Sequence, residues 1–365
     1  MRVFHRVSQL LPAPFIQAVE PIDRAFNRQR WVARVSATRR AMVFLAASFG
    51  VASAQAAPAA AEPFVFVTNW YAQAEHGGYY EAQASGLYKN AGLDVTIKMG
   101  GPQVNVTQLL AAGQADCIMG ASDGVVLFAR AQGVPLVTVA AIFQKDPQGI
   151  VAHPEVAKIE DLKKATLLIP STAYSTYWPW LKEKYGLSDA QTHPYAFNYQ
   201  PFMASKDVAQ QGYVTYDPYA VEKQMHIKPK FFLLSDYGWP AYANTVVCSE
   251  KTIKERPAVL QEFLKASLTG WKNYLSGDTA AANALIKKDD PDMTDDQIAF
   301  AIKTMKARGI VEGGDAAKLG IGIVTDARLK ASYDFFVREK LIDPAKVDLS
   351  QTYTTAFVKD LHILP

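Results

Sequence analysis

The sequence predicts an α/β protein made of two lobes of alternating strands and helices, and three observations carry that prediction. Residues 64–99 read as one βαβ unit whose polar and aromatic side chains gather at one end. The βα rhythm then starts afresh after Gly149, and from Thr252 onward the chain reads as mostly helical.

In the first unit, an apolar β-rich run from Phe64 to Thr68 stops at Asn69-Trp70. A helix follows from Gly77 to Asn90, Gly92 ends it, and Leu93 to Met99 restarts a strand. The loop at the carboxyl end of the first strand therefore holds Asn69, Trp70, Tyr71, Glu75 and His76, on the edge where open α/β sheets bind ligands. Gly100-Gly101 leads into a helix over 102–113, and Ala115 to Gly120 reads as a buried strand. Ser122-Asp123 are placed to cap the next helix, which runs to Gln132; Gly133-Val134-Pro135 turns into a strand from Leu136 to Ile142. The second set comprises strand 166–169, helix 171–185, helix 201–211, strand 213–215, helix 218–225 and strand 231–235. Thr245 to Ser249 reads as a returning strand, and Pro257, Gly277 and Pro291 break the helical tail.

The first unit has a recognisable grammar: a strand ending in Asn-Trp, a His soon after, and a Gly/Tyr-rich helix closing on a Gly-Leu-Asp-Val phrase. Asn69, Trp70, His76, Tyr80, Gly86, Leu87, Tyr88, Gly92, Leu93, Asp94 and Val95 supply it. With the phrase LLAAGQADCIMGASDGVVLFARAQGVPLVTVAAIFQ (109–144), the chain resembles the NMT1/THI5-like branch of periplasmic binding proteins, the solute receptors of ABC importers. The resemblance implies a type II periplasmic binding fold: two βα lobes joined by a two-strand crossover hinge, with the ligand cleft between them. Crossovers near Gly149 and near 242–245 divide the chain into lobe 1 (63–148 and 245–365) and lobe 2 (149–244), the helical tail wrapping on lobe 1. It also implies a monomer that takes a small-molecule ligand to an inner-membrane permease and its ATPase.

What precedes the first strand reads as an export leader. Arg30, Arg34, Arg39 and Arg40 form a basic region, residues 41–51 a short apolar core, and Ala54-Gln55-Ala56 a cleavage site, so residues 1–56 are leader and 57–62 linker. The apolar core falls short of the roughly 20 residues that a membrane span needs. The destination is the periplasm. The chain as a whole has the composition of an ordinary globular protein, 49% hydrophobic and 20% charged with net charge +3, and beyond the leader no basic run offers a footprint for nucleic acid. Two cysteines, Cys117 and Cys248, exclude a disulfide framework and a Cys-rich zinc site. The returning strand is expected beside the Cys117 strand, which brings the pair close, bonded or free.

Each candidate site residue also has a bland reading. Trp70 serves as an aromatic platform or plugs the core rim; Asn69 bonds a ligand or fixes a turn. His76 suits a heteroaromatic ligand or packs at a helix start, and Glu75 is expected to be solvated. Ser122 and Asp123 bind ligand or simply cap. Ser171 and Thr172 open a helix whose amides face the cleft, with Tyr174 the aromatic nearest it. Tyr216, Asp217 and Glu222 follow a strand end, where an acid can accept a ligand amino group. Arg130, Lys145 and Lys206 look solvated, so no Arg clamp marks an anion site. Aromatics with carboxylates fit a flat neutral or weakly basic ring, of the kind of a formylaminopyrimidine or hydroxymethylpyrimidine thiamine precursor; sulfonates, taurine and nitrate are the alternative class. The fungal branch of the resembled family makes the thiamine pyrimidine from its own His with pyridoxal phosphate and iron, and carries a Cys cluster. This chain reads YANTVVCS over 242–249, with one Cys. No H-E-x-x-H or P-loop occurs. The expectation is a receptor without catalytic residues, metal or cofactor.

Overall fold

The computed structural model describes residues 60–101, 103–195 and 197–365. The expected leader and its cleavage site near Ala56 lie outside these residues.

One sheet holds β1 (Glu62–Val67), β2 (Leu93–Lys98), β3 (Cys117–Ser122), β4 (Leu136–Phe143) and β10 (Ala243–Ser249), in the order β2-β1-β3-β10-β4. The other holds β5 (Gln148–Ala152), β6 (Thr166–Ile169), β7 (Thr192–Pro194), β8 (Val208–Tyr213) and β9 (Lys230–Leu233), in the order β7-β6-β8-β5-β9. The chain crosses between sheets twice, from β4 to β5 and from β9 back to β10. β10 runs antiparallel to both β3 and β4, while β1 pairs in parallel with β2 and β3. This is the two-lobed α/β architecture with a two-strand hinge.

Helices cover both faces of each sheet. α1 (Gly77–Ala84), α2 (Leu87–Asn90), α3 (Val106–Ala111) and α4 (Gly124–Ala131) belong to the first half of the chain. α5 (Tyr177–Tyr185), α6 (Gln200–Ala204) and α7 (Asp217–Met225) belong to the inserted half. The tail contributes α8 (Glu250–Glu255), α9 (Pro257–Ser276), α10 (Ala280–Asp289), α11 (Asp295–Ala307), α12 (Ala316–Leu319) and α13 (Asp326–Arg338). One face of the first sheet buries Phe64, Phe66, Val139 and Val246 against Tyr79 of α1 and Phe263 and Trp271 of α9. A side chain at Gly78 would collide with the Trp271 ring, so α1 and α9 meet only because that position is glycine. The opposite face packs Val67, Ile118 and Val247 on Leu110, Val126 and Ala129 of α3 and α4.

Several elements depart from the sequence expectation. The helix expected over 77–90 is two helices, because Gly86 adopts φ +72, a left-handed turn. The helix expected over 171–185 begins as a 3-10 turn (Ser171–Ser175) and restarts at Tyr177. Pro179 supplies the reason: it fits the first turn of α5 but would break an α-helix begun at 171. The expected helix 201–211 ends at Ala204, and its second half is β8, the central strand between β6 and β5. The tail does not wrap on lobe 1 alone. Phe335 and Phe336 of α13 sit in one apolar cluster with Trp178 and Trp180 of α5 and with Trp239.

Cys117 and Cys248 are joined in a disulfide. They stand directly opposite in the β3–β10 ladder with Cα atoms 4.3 Å apart, the separation of a narrow antiparallel pair. The bond closes a loop of 131 residues that contains the whole inserted half, an entropic restraint on the unfolded chain of about 5 kcal/mol. Alkylation in denaturant without reductant should therefore leave the mass unchanged, and reduction should lower the melting temperature; two alkyl groups added without reductant would show the thiols to be free.

Candidate functional site

The carboxyl end of β1 leads through Asn69 and Trp70 into a 3-10 turn, Ala74–His76, that carries two buried polar side chains. Glu75, expected to be solvated, is 1% exposed. Thr215, beyond the end of β8 in the second lobe, donates its hydroxyl to the Glu75 carboxyl, and Asn244 Nδ2 of β10 donates to the Glu75 carbonyl at 3.1 Å. Burial raises the Glu75 pKa; the Thr215 bond opposes this and the Asp217 charge adds to it. His76 is equally buried, and burial lowers its pKa to about 3, so its imidazole is neutral. Its Nε2 lies 3.4 Å from Asn69 Oδ1, while Nδ1 is buried with no hydrogen-bond partner among the described residues.

Trp70 is half-buried, and its ring meets Phe197 of the other lobe at 4.8 Å between centroids. Phe197 is 41% exposed and sits at φ +55 in the loop after β7, where it also touches Tyr195 at 4.8 Å. Sequence reasoning missed Phe197 and Tyr195 because it did not read β7 as a strand. The alternation Tyr195-x-Phe197-x-Tyr199 was the available signal.

Around this contact the inserted half places a group of tyrosines and one acid. Asp217 is 6% exposed; Oδ1 accepts from the Tyr199 hydroxyl at 2.7 Å and Oδ2 from the Tyr213 amide at 2.6 Å. Burial pushes its carboxyl up to about 6. Asp217 thus closes the β8–α7 turn from within. Tyr213 and Tyr216 lie in electrostatic range of both Glu75 and Asp217. Glu222 is on the exposed face of α7, away from this group. On β8, Gln210 is fully buried and bonds the Tyr195 hydroxyl at 3.0 Å, leaving its Oε1 without a partner among the described residues. The buried Tyr177 hydroxyl lacks one as well.

The remaining candidates sit elsewhere. Ser171 and Thr172 belong to the short 3-10 turn rather than to an α-helix N-terminus, which removes the aligned amides expected there. Tyr174 is 44% exposed and shares a 2.7 Å hydrogen bond with Thr192. Ser122 is half-buried at the end of β3. Asp123 stands at the N-cap of α4, but its carboxylate makes no capping bond. The carboxylate is buried close to Ser332 and Arg328 of α13, and burial raises it to about 6. Asp123 therefore belongs to the hinge region, as does Asp146 in the first crossover. Asp146 accepts from Trp239 Nε1 of the second crossover at 2.9 Å and from the Gln148 amide at 2.9 Å. Burial pushes Asp146 up to about 7, with the Asp123 charge adding to the effect. Arg130, read as solvated, is instead held by the Leu136 carbonyl at 2.8 Å and by Glu250.

The sequence profile of the family described as NMT1/THI5 like matches residues 73–281, more than half of the chain. The chain belongs to the NMT1/THI5-like family. Among curated proteins, the riboflavin-binding protein RibY of Chloroflexus aurantiacus is 26% identical over 289 residues, covering 77% of this chain and 81% of that protein. The formylaminopyrimidine-binding protein of Halalkalibacterium halodurans is 27% identical over 63% of this chain and 72% of its own length. The 4-amino-5-hydroxymethyl-2-methylpyrimidine phosphate synthase of Aspergillus parasiticus is 27% identical over only 28% of this chain and 30% of its own. Among solved structures, the alkanesulfonate-binding protein SsuA of Xanthomonas axonopodis pv. citri superposes with a TM-score of 0.59 at 16% identity, covering 81% of this chain and all of that one. The NMT1/THI5-like chain thus has the periplasmic-binding-protein fold, and its two more extensive curated matches are binding proteins.

The hinge acids set a pH dependence. Asp146 titrates near 3.9 when unfolded and near 7 in the folded NMT1/THI5-like chain. Its proton favours folding fully below pH ~4, and that contribution is lost as pH rises through ~7. Asp123 acts in the same direction. The melting temperature should fall between pH 5 and pH 8, and Asp146→Asn should make the fall shallower; an unaltered slope in the variant would contradict the assignment.

Proposed function

We propose that this protein is the solute-binding receptor of an ABC-type importer, exported to the periplasm, whose solute is a flat heteroaromatic ring of pyrimidine type. The carrying observation is the Trp70–Phe197 contact, in which one aromatic ring from each lobe meets the other with their planes inclined by 56°. A planar ligand fits between two such rings once they turn parallel and part to roughly 7 Å. Behind them His76 is neutral, and with Nε2 donating to Asn69 its Nδ1 is an acceptor awaiting an N–H. Buried polar atoms without partners are rare, and His76 Nδ1, Gln210 Oε1 and the Tyr177 hydroxyl are three of them. Relatives named for riboflavin and for formylaminopyrimidine share this ligand chemistry, a flat ring with nitrogen donors and acceptors at its edge.

An anion fits the site poorly. Among the described residues no cationic side chain faces Glu75 or Asp217, so a sulfonate or nitrate would find no counter-charge beside them. The likeness to SsuA, at 16% identity, speaks for fold alone. A pyrimidine synthase of the fungal type is the second reading, favoured by the short match to the Aspergillus protein. Against it, Cys248 is the lone cysteine of its strand and is consumed in the disulfide. In the receptor reading, lobe 1 (63–148 and 245–365) and lobe 2 (149–244) close on the solute as a monomer. The closed form then meets an inner-membrane permease powered by its ATPase.

A thermal-shift screen tests the ligand class. Formylaminopyrimidine, hydroxymethylpyrimidine or riboflavin should raise the melting temperature, by the equivalent of about 2.7 kcal/mol at a hundredfold over the dissociation constant, whereas taurine, alkanesulfonates and nitrate should not. Trp70→Ala should abolish most of that shift and leave the unliganded melting point nearly unchanged, since Trp70 is half-buried. A loss of about 3–5 kcal/mol in unliganded stability would instead mark Trp70 as core. A shift with sulfonates and none with the rings would overturn the ligand class.

A further inference from the structure

Glu75 is the one acid of the β1 loop that leaves water altogether, and its hydrogen-bond partner belongs to the other lobe. Three separate parts of the chain converge on it. The turn that carries it follows β1; Thr215, which donates to its carboxyl, lies between β8 and α7; and Asn244, which holds its backbone carbonyl, is in β10 at the hinge. Asn244 adopts φ +44, a left-handed conformation that asparagine tolerates better than most residues, so the hinge strand bends at the point where it grips the turn. From the tail, Gln297 of α11 reaches the Thr215 carbonyl at 3.5 Å.

We propose that Glu75 is the clasp of the closed cleft, a positioning residue that carries a proton when the lobes meet and takes the Thr215 hydroxyl to hold lobe 2 against lobe 1. The surroundings explain the proton. On its own turn the neighbour is neutral His76; from β8 and α7 it faces Tyr213, Tyr216 and Asp217; from α9 it faces Tyr274; from α11 and β10 it meets the neutral amides of Gln297 and Asn244. No cation is among them, and Asp217 is of like sign. An ionised Glu75 in that position would have neither water nor a counter-charge. Opening the cleft returns the carboxyl to water and to ordinary acidity. The closed form therefore binds a proton that the open form releases. Its advantage is complete below the ordinary carboxylate range and fades as pH rises through the raised value. Asp217 is buried within lobe 2 by Tyr199 and Tyr213, so closure leaves its surroundings largely as they are. The clasp belongs to the two lobes themselves and does not depend on which solute lies between them.

The test uses the ligand-free mature chain and two readouts. Small-angle X-ray scattering at pH 5.5 and pH 8 reads closure, and hydrogen exchange at residues 74–76 and 214–217 reads the clasp directly. Wild type should be more expanded and faster-exchanging at pH 8. Glu75→Gln, which keeps the carbonyl acceptor and cannot ionise, should stay compact and protected at both values. Thr215→Val, which removes the donor at equal size, should resemble wild type at pH 8 under both conditions. Asp123 and Asp146 remain in both variants, so the difference from wild type isolates Glu75. The clasp is overturned if neither readout of wild type changes with pH, if Glu75→Gln follows wild type, or if Thr215→Val stays closed.

Discussion

The entry of β10 into the middle of the first sheet is the pairing on which the rest of this molecule depends. It lies antiparallel between β3 and β4, although most of a lobe separates it from them in sequence. Pairing a strand so late in the chain with two early ones forces everything between β4 and β10 to fold as an inserted body. It also fixes two crossovers side by side, which is what makes a hinge. The Cys117–Cys248 bond sits in the same ladder and locks its register, so the returning strand cannot slip without breaking a covalent bond.

From that constraint the cleft follows. The carboxyl ends of β1 and β8 face each other from different sheets, and each delivers what the other lacks. The first lobe brings Trp70, Glu75 and neutral His76; the second brings Phe197, Thr215 and the tyrosines around Asp217. At the back, α13 spans the junction, with Phe335 and Phe336 packed into the aromatic cluster of α5 and Trp239. The hinge is apolar on that side and acidic within, where Asp146 ties one crossover to the other through Trp239. The structure thus combines an aromatic junction at the back with polar contacts between the lobes at the front.

Much of this was legible in the sequence because it is periodic. The βαβ unit, the restart near Gly149 and the helical tail all carry strong hydrophobic patterns, and Asn69, Trp70 and His76 sit at a strand end that the pattern itself locates. What escaped had no local signal. β7 is a three-residue strand with a terminal Pro, too short to alternate. β8 places Gln210 and Gln211 in a buried centre, so it reads as neither strand nor amphipathic helix; only the partners on both sides make it a strand. Glu75 looked solvated because a charge in a loop ordinarily is; its burial is decided by Thr215, 140 positions away. Ser171 and Thr172 have the residue types of a helix start, but Pro179 confines the α-helix to positions from Tyr177 onward. Asp123 had the right place for a cap but faces α13, an element whose position the sequence pattern does not reveal. For β8, Glu75 and Asp123 a long-range contact overrode a local rule.

Native mass spectrometry of the protein taken from the cells that make it, without exposure to added ligands, tests the central claim most directly. The account predicts a non-covalent adduct of one flat heteroaromatic molecule per chain, released on denaturation with ring absorbance in the ultraviolet, and an unmodified His76. An aliphatic sulfonate or inorganic anion in its place, or a His76 converted by chemistry, would contradict it.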